Sequence, residues 1–195
     1  NSISPNMATE AESMLLGYCS ARAESFSSQQ GPRTLTSLRQ MVQDECVNRF
    51  SDASPAYMYT LVLPTGLGKT LTSLRVALKA CQFGMCNRII YVAPYLSILS
   101  QATRDVRRAT GLEVLEHHHL SAISATGAEN EGFKDGLPTG NDDTTMLDSW
   151  LAPVVTTTFN QFFRALFPGR AQHTMRLQAL HGAFVIVDEP QVIDR

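Results

Sequence analysis

Hydrophobic and polar positions follow two alternating patterns along this chain. In the first, short continuous apolar runs are bounded by turn residues, which is typical of buried strands. These runs predict strands at 57–63, 87–93, 114–117, 153–158 and 183–187. In the second, apolar residues recur every three or four positions, which predicts helices at 34–50, 71–81, 97–110 and 159–167. Because strands that are apolar on both faces alternate with helices, we expect a mainly parallel sheet with helices on both sides.

Two segments lack this alternation. Residues 1–33 are helical in pattern from Met7 to Glu24 and then become rich in Ser, Gln, Gly and Pro. We interpret them as the end of a preceding domain plus a linker, and residues 34–195 as the α/β domain. Residues 121–148 are rich in Gly, Asp, Asn, Ser and Thr with little periodicity, and they are predicted to form a long mobile loop.

Composition limits the classes of function without choosing among them. The 195 residues, 44% hydrophobic and 17% charged, suffice for one sizeable core. A net charge of −2 gives no general attraction to nucleic acid, so binding of that kind requires local groups. The four cysteines show no zinc spacing and are expected to be buried, reduced thiols of a cytoplasmic protein. The sequence shows no signal peptide and no apolar run long enough to span a membrane.

The most informative stretch is 63–70, which reads Leu-Pro-Thr-Gly-Leu-Gly-Lys-Thr. Two glycines ahead of a helix let main-chain N–H groups converge on an anion, so the stretch predicts a phosphate-binding loop. Lys69 then reaches the β- and γ-phosphates of ATP, and the Thr70 hydroxyl is a ligand for Mg²⁺. The residues predicted to bind the nucleotide are Pro64, Thr65, Gly66, Leu67, Gly68, Lys69 and Thr70. Leu63 stands where stricter phosphate loops have a first glycine, a relaxation typical of superfamily 2 helicases.

An acidic pair, Asp188 and Glu189, follows the predicted strand 183–187. Ligands of open α/β sheets bind at the carboxyl ends of strands, and two adjacent carboxylates are costly there unless a cation joins them. We expect Asp188 to bind Mg²⁺ directly or through water, and Glu189 to orient and deprotonate the water that attacks the γ-phosphate. Lys69, Asp188 and Glu189 are therefore the predicted catalytic residues, acting on one magnesium-bound ATP.

Polar residues at the ends of two predicted strands suggest a surface for nucleic acid. They are Pro94, Tyr95 and Gln101 after strand 87–93, and Thr156, Thr157 and Thr158 in strand 153–158. Hydroxyl and amide donors at strand ends can bind the phosphates of a nucleic acid independently of its base sequence. A threonine triplet also follows from β-propensity alone, so its position between the two nucleotide motifs is what favours the functional interpretation.

Four stretches, in this order, resemble the motifs of one helicase family. They are LPTGLGKT (63–70), RIIYVAPYLSILSQ (88–101), APVVTTTFNQFF (152–163) and VIVDEPQ (185–191). Together they are similar to motifs I, Ia, Ib–Ic and II of the CRISPR-associated helicase-nuclease of type I interference systems. Trp150 and the aromatic run at 162–167 make this resemblance closer than that to DEAD-box helicases in general. The resemblance covers residues 34–195.

The resemblance implies the first RecA-like motor domain of an ATP-dependent translocase that moves single-stranded DNA. Such a domain is a P-loop NTPase with a three-layer α/β sandwich. The implied partners are a CRISPR surveillance complex that recruits the enzyme in antiviral defence, a second RecA-like domain, and a histidine–aspartate nuclease domain. By motif match, Lys69 and Thr70 carry phosphate and magnesium binding, and Asp188 and Glu189 carry magnesium binding and water activation.

The chain departs from the family pattern in three respects. Pro190 and Gln191 follow the acidic pair, where the family more often has an aliphatic residue and then His or Asp. The sequence contains no His-Asp dipeptide, so the nuclease centre is expected elsewhere, and a second motor domain with its arginine fingers is missing. We therefore expect a piece of a longer protein that, by itself, binds nucleotide weakly and hydrolyses little ATP.

Three further questions stay open at the level of sequence. His117, His118 and His119 alternate across a strand, so at most two of them share a metal without a bend, and a structural role is the simpler interpretation. Gln40 or Gln43 is a candidate contact to adenine. The alternative functions are another superfamily 2 motor, such as a restriction-enzyme translocase or an RNA helicase, and a nucleotide-gated binding module that does not hydrolyse ATP.

Overall fold

The computed structural model describes residues 2–27, 33–118, 149–169 and 171–192. The predicted loop at 121–148 lies outside these residues. The chain divides into two compact units. We call them the helical unit, formed by Ile3–Asn87 and Arg104–Leu112, and the sheet unit, formed by Arg88–Thr103 and the described residues after Leu112.

Helices form the first of these units. They are α1 (Pro5–Ser27), α2 (Arg33–Asp52), α3 (Lys69–Gln82) and the last part of α4 (Leu96–Thr110). Both α1 and α2 pack against α3. The predicted apolar stripe of α3 is confirmed, since Leu74, Leu78 and Cys81 are buried. Burial of that stripe, rather than helix propensity alone, stabilises a helix of this length.

A buried arginine links the three helices of the helical unit. The Arg75 side chain, on α3, donates from Nη1 to Asp44 Oδ1 on α2 at 2.8 Å. Its Nη2 lies 3.7 Å from Glu12 Oε1 on α1. Arg75 is only 5% exposed, so its charge is held away from water by two carboxylates that reach it from different helices. The ion pairs therefore fix how α1 and α2 lie on α3.

The strand predicted at 57–63 is wrong. The structure has no regular element between the end of α2 and the phosphate loop, and Tyr57, Met58 and Val62 are 110%, 84% and 83% exposed. A strand satisfies its backbone only by pairing with another strand, and this segment pairs with none among the described residues. Instead Tyr59 packs edge-on against Phe50 of α2, with the ring centroids 5.0 Å apart.

The sheet unit contains a parallel sheet of four strands, in the order β2-β3-β1-β4. The strands are β1 (Arg88–Ala93), β2 (Val114–His117), β3 (Val154–Thr158) and β4 (Ala183–Val187). Each coincides with a predicted strand, so these four predictions are confirmed. Every residue of β1 is buried, as its continuous apolar run requires. Parallel pairing brings the carboxyl ends of all four strands to one edge of the sheet.

Two helices pack in the sheet unit. Helix α5 (Phe159–Leu166) was predicted and contacts β1 and β3, whereas α6 (Ala171–Leu180) was not predicted and packs on α5. The core includes Ile90, Val92, Val155 and the fully buried Trp150. Arg88 is also buried, and its Nε donates to the carbonyl of Ala152 at 2.9 Å. Burial lowers the pKa of the Arg88 guanidinium.

Candidate functional site

The phosphate loop has the backbone geometry that its glycines predict. Gly66 and Gly68 have φ of 87° and 82°, in the left-handed region that a side chain disfavours. Between them the N–H of Leu67 donates to the carbonyl of Pro64 at 3.3 Å, which closes a tight turn. Gly68 is the N-cap of α3 and supplies no side-chain oxygen to that helix terminus. The start of α3 therefore keeps main-chain donors and the positive end of a helix dipole for an anion.

Helix α2 supports this loop from the side. Arg39 Nε donates to the carbonyl of Gly66 at 2.8 Å. Gln43, one turn further along, is 5% exposed, and a Cβ on Gly68 would lie 3.3 Å from its Nε2. Gln40, by contrast, is exposed. Of the two glutamines considered for adenine, Gln43 is therefore the one beside the loop, whereas the role of Arg39 was missed by sequence reasoning.

Lys69 and Thr70 are the first two residues of α3, and both are half-buried. The turn beneath them is held by Thr72, whose N–H and hydroxyl both donate to the carbonyl of Gly68 at 2.9 Å. Ser73 Oγ donates to the carbonyl of Thr70 at 3.0 Å. These hydrogen bonds fix the backbone of the first turn of α3, from which the Lys69 and Thr70 side chains extend.

The acidic pair comes directly after β4 in the sheet unit. The N–H of Asp188 donates to the carbonyl of Val92 at 2.9 Å, which extends the ladder between β4 and β1 by one bond. The buried phenol of Tyr91 donates to Asp188 Oδ2 at 2.7 Å. Asp188 is half-buried at the carboxyl edge of the sheet. One oxygen of this carboxylate is therefore engaged by a strand residue that sequence reasoning did not single out.

Glu189 has a strained backbone. Its φ is 53°, a left-handed value that costs a non-glycine residue about 1–2 kcal/mol. A 3₁₀ turn at Pro190–Val192 follows, in which the N–H of Val192 donates to the carbonyl of Glu189 at 3.1 Å. Gln191 Nε2 donates to Glu189 Oε2. Gln191, a departure from the family pattern, thus holds the carboxylate that we predict to activate water.

Three of the six predicted nucleic-acid residues, Pro94, Tyr95 and Thr158, lie at the carboxyl ends of β1 and β3. Ala93 pairs with Thr158, so Tyr95 and Thr158 follow or end adjacent strands at the carboxyl edge of the sheet. Tyr95 is 57% exposed, Gln101 on α4 is exposed, and Pro94 and Thr158 are half-buried. The Tyr95 ring and the Gln101 amide are therefore accessible from solvent, as a contact to a nucleic-acid chain requires.

Thr156 and Thr157 have a different environment. Both side chains are fully buried, and Thr156 Oγ1 lies 2.7 Å from Thr103 Oγ1 while Thr157 Oγ1 donates to the carbonyl of His117 at 3.0 Å. These hydroxyls connect β3 to α4 and β2. A direct contact from them to nucleic acid stays a prediction, and their observed bonds serve the sheet.

His117 and His118 make contacts that are typical of structural residues. His117 ends β2 and meets the Trp150 ring edge-on, with centroids 5.6 Å apart. His118 Nε2 lies 3.6 Å from Glu116, and the described residues hold no group of three or more metal-ligating side chains. His119 lies outside the described residues.

Only two of the four cysteines are as buried as predicted. Cys81 and Cys86 are buried with Sγ atoms 2.8 Å apart, whereas Cys19 and Cys46 are half-buried, and all four are free thiols. The hydrogen bond between Cys81 and Cys86, followed by burial, raises the pKa of the Cys81 thiol. Cys81 and Cys86 therefore serve as buried, reduced side chains of the core.

Donor chemistry at the two motifs fits a magnesium nucleotide. The loop offers left-handed glycines with space beside Gly66, a helix N-terminus and a lysine, which suit phosphate oxygens. Thr70 and Asp188 offer the hydroxyl and carboxylate oxygens that Mg²⁺ prefers. A phosphate loop together with an acidic pair after a parallel strand is characteristic of a P-loop NTPase of the RecA-like helicase class.

Comparisons with known proteins agree with that class. The family model described as type III restriction enzyme, res subunit, matches residues 35–190, and the chain belongs to this family of superfamily 2 helicase motor domains. A curated relative, the CRISPR-associated nuclease/helicase Cas3 of Haloferax volcanii, is 32% identical over 157 residues. The match covers 74% of this chain and 17% of the relative. The resemblance to the CRISPR-associated helicase-nuclease and the α/β P-loop fold class are thereby confirmed.

Each helix in the described ranges is too short or too polar to cross a membrane.

Proposed function

We propose that this chain is the ATP-hydrolysing motor domain of a CRISPR type I helicase-nuclease and that it moves along single-stranded DNA. The observation that carries the proposal is the pairing of a left-handed, glycine-built phosphate loop with an acidic pair after a parallel strand, in a chain similar to a CRISPR-associated nuclease/helicase. Recruitment by a surveillance complex, a second RecA-like domain and a nuclease domain belong to the same proposal.

Each residue has a separate task in this account. The loop from Pro64 to Thr70 binds the phosphates through main-chain N–H groups, and Lys69 neutralises charge on the β- and γ-phosphates. Thr70 and Asp188 hold Mg²⁺, which when bound stabilises the charge that develops on the transferred phosphoryl oxygens. Glu189 accepts a proton from the attacking water while Gln191 keeps its carboxylate in place.

Nucleic acid is proposed to bind at the carboxyl edge of the sheet. Tyr95 is exposed enough to stack on a base. Thr158 ends β3, Pro94 lies between β1 and α4, and Gln101 lies on α4. The buried hydroxyls of Thr156 and Thr157 are bonded to α4 and β2, and a direct contact from them to the DNA stays a prediction. Binding of this kind reads the backbone and is independent of sequence.

Replacing one carboxylate in the full-length protein tests the motor. Glu189→Gln removes the water-activating base and keeps the shape, so turnover of ATP stimulated by single-stranded DNA should fall about 10²–10⁴-fold while nucleotide affinity is preserved. Glu113→Gln is the matched control, because Glu113 is an exposed carboxylate outside both motifs. A Glu189→Gln protein that retains its function would favour a nucleotide-gated switch and contradict hydrolysis.

The choice of nucleic acid distinguishes the second candidate function. The description of the matching family names a restriction enzyme subunit, which favours a restriction-enzyme translocase as the rival. We expect such a translocase to act on duplex DNA. Wild-type ATP turnover should rise with single-stranded DNA and respond less to duplex DNA or RNA. Turnover that rises only with duplex DNA would replace the single-strand proposal with that rival, and turnover indifferent to nucleic acid would contradict a motor of either kind.

A further inference from the structure

A tyrosine in the centre of the sheet contacts the acidic motif. Tyr91 lies in the middle of β1 and is 1% exposed. It pairs in register with Ile186 of β4, and Asp188 follows two residues later, so the three side chains lie on the same face of the sheet. This register brings the phenol oxygen to 2.7 Å from Asp188 Oδ2.

Packing alone does not account for a hydroxyl at this position. The residues two positions away along β1, on the same face as Tyr91, are the apolar and fully buried Ile89 and Ala93, and Phe would fill nearly the same volume. A buried phenol needs a hydrogen-bond partner, and a carboxylate is a strong one because the bond is charge-assisted. Tyr91 therefore donates its single O–H to one oxygen of Asp188.

We propose that Tyr91 is a positioning residue for the magnesium site of this motor. Its hydroxyl fixes the rotation of the Asp188 carboxylate by engaging Oδ2, which leaves Oδ1 to serve Mg²⁺ or a water bound to it. The inference rests on the proposed function, since it assigns a role toward the same bound nucleotide. Partners in the outer shell of a metal site typically contribute 10–100-fold to metal affinity.

The test measures how much Mg²⁺ improves nucleotide binding. In the full-length protein, the affinity for the non-hydrolysable analogue AMP-PNP is measured by calorimetry with Mg²⁺ and with EDTA. Tyr91→Phe should leave the affinity in EDTA unchanged and reduce the improvement given by Mg²⁺ about tenfold. A purely structural role would lower both affinities together or neither.

Tyr18→Phe is the matched control. Tyr18 also donates to an aspartate, Asp105, at 3.4 Å, but neither residue belongs to the phosphate loop or to the acidic pair. Its substitution should leave both affinities unchanged. A second variant covers any change in folding: in an Asp188→Asn background, Tyr91→Phe should have no further effect on the Mg²⁺ dependence, because the phenol acts only through that carboxylate.

The outcomes separate the two proposals. If wild-type protein gains affinity from Mg²⁺ and Tyr91→Phe gains as much, the inference is overturned and the proposed function stands. If Tyr91→Phe still weakens the Mg²⁺ effect after Asp188 is changed, the phenol does not act through that carboxylate and the inference is also overturned. If wild-type protein binds AMP-PNP neither with nor without Mg²⁺, the proposed function itself fails and the inference fails with it.

Discussion

At the scale of single residues, the phosphate loop depends on two glycines at which an added side chain is unfavourable for different reasons. Both have left-handed φ, but a Cβ on Gly66 would meet nothing within 4 Å, whereas a Cβ on Gly68 would lie 3.3 Å from Gln43 Nε2. Gly66→Ala therefore adds backbone strain alone, and Gly68→Ala adds strain and displaces a buried amide.

The two alanine substitutions form a graded pair. Gly66→Ala should lower the free energy of unfolding by about 1 kcal/mol, and Gly68→Ala by about 1–2 kcal/mol. Nucleotide affinity should fall more for Gly68→Ala, because the N-terminus of α3 and Gln43 both shift. Urea denaturation and AMP-PNP titration measure the two effects. Equal and negligible losses in both variants would contradict the left-handed conformation.

Sequence reasoning proposed the charged and glycine residues of the candidate site but not the residues that contact them. Lys69 and Asp188 belong to motifs with fixed spacing, so their chemistry can be read from the sequence. Tyr91 lies within the stretch 88–101 but is not one of its predicted binding residues, and Arg39 lies in none of the four stretches. Their contacts arise from strand register and helix packing. The one available signal was a phenol within an aliphatic strand, since its hydroxyl requires a partner.

At the scale of elements, apolar runs predicted strands well wherever a neighbouring strand was present. The four runs that became β1 to β4 each pair in parallel with another. The run at 57–63 has the same β-propensity, yet it remains irregular because propensity specifies no pairing partner. Its large exposed side chains, Tyr57, Met58 and Val62, are the consequence.

Helix α6 shows the opposite failure, an element without an apolar stripe. Its buried positions include Arg176 and Ala179, a charged and a small residue. Arg176 Nη1 donates to Gln161 of α5 at 3.2 Å, and its guanidinium carbon lies 5.6 Å from the centroid of the Trp150 ring. Ala179 and Leu180 pack on the core, and polar and cation–π contacts supply the rest of the packing, so hydrophobic periodicity gives little signal.

Arg75 should be the strongest electrostatic determinant of helix packing. Arg75→Ala removes the ion pairs to Asp44 and Glu12 and should lower the free energy of unfolding by about 2 kcal/mol. The expected loss is below that of a fully buried pair because Asp44 is 47% exposed and partly screened by water. Chemical denaturation measures it.

An exposed ion pair on α2 is the control for that measurement. Arg49 Nε lies 2.7 Å from Glu45 Oε1, but the two side chains are 80% and 55% exposed. Arg49→Ala should therefore cost less than about 0.5 kcal/mol despite the shorter distance. Equal losses at Arg49 and Arg75 would show that burial does not set the strength of these pairs.

At the scale of the whole molecule, the chain spans about a sixth of the curated relative that it matches. Its phosphate loop belongs to the helical unit and its acidic pair to the sheet unit. The proposed function requires both motifs to serve one nucleotide, with Thr70 and Asp188 as ligands of the same Mg²⁺.

Retention of Mn²⁺ tests this requirement most directly, with Mn²⁺ replacing Mg²⁺ as a paramagnetic probe. Full-length protein saturated with AMP-PNP should hold a single Mn²⁺ per nucleotide by electron paramagnetic resonance. Thr70→Val and Asp188→Asn should each weaken its binding at least about tenfold, because both residues are proposed to hold the same ion. Undiminished Mn²⁺ binding in either single variant would contradict a shared site.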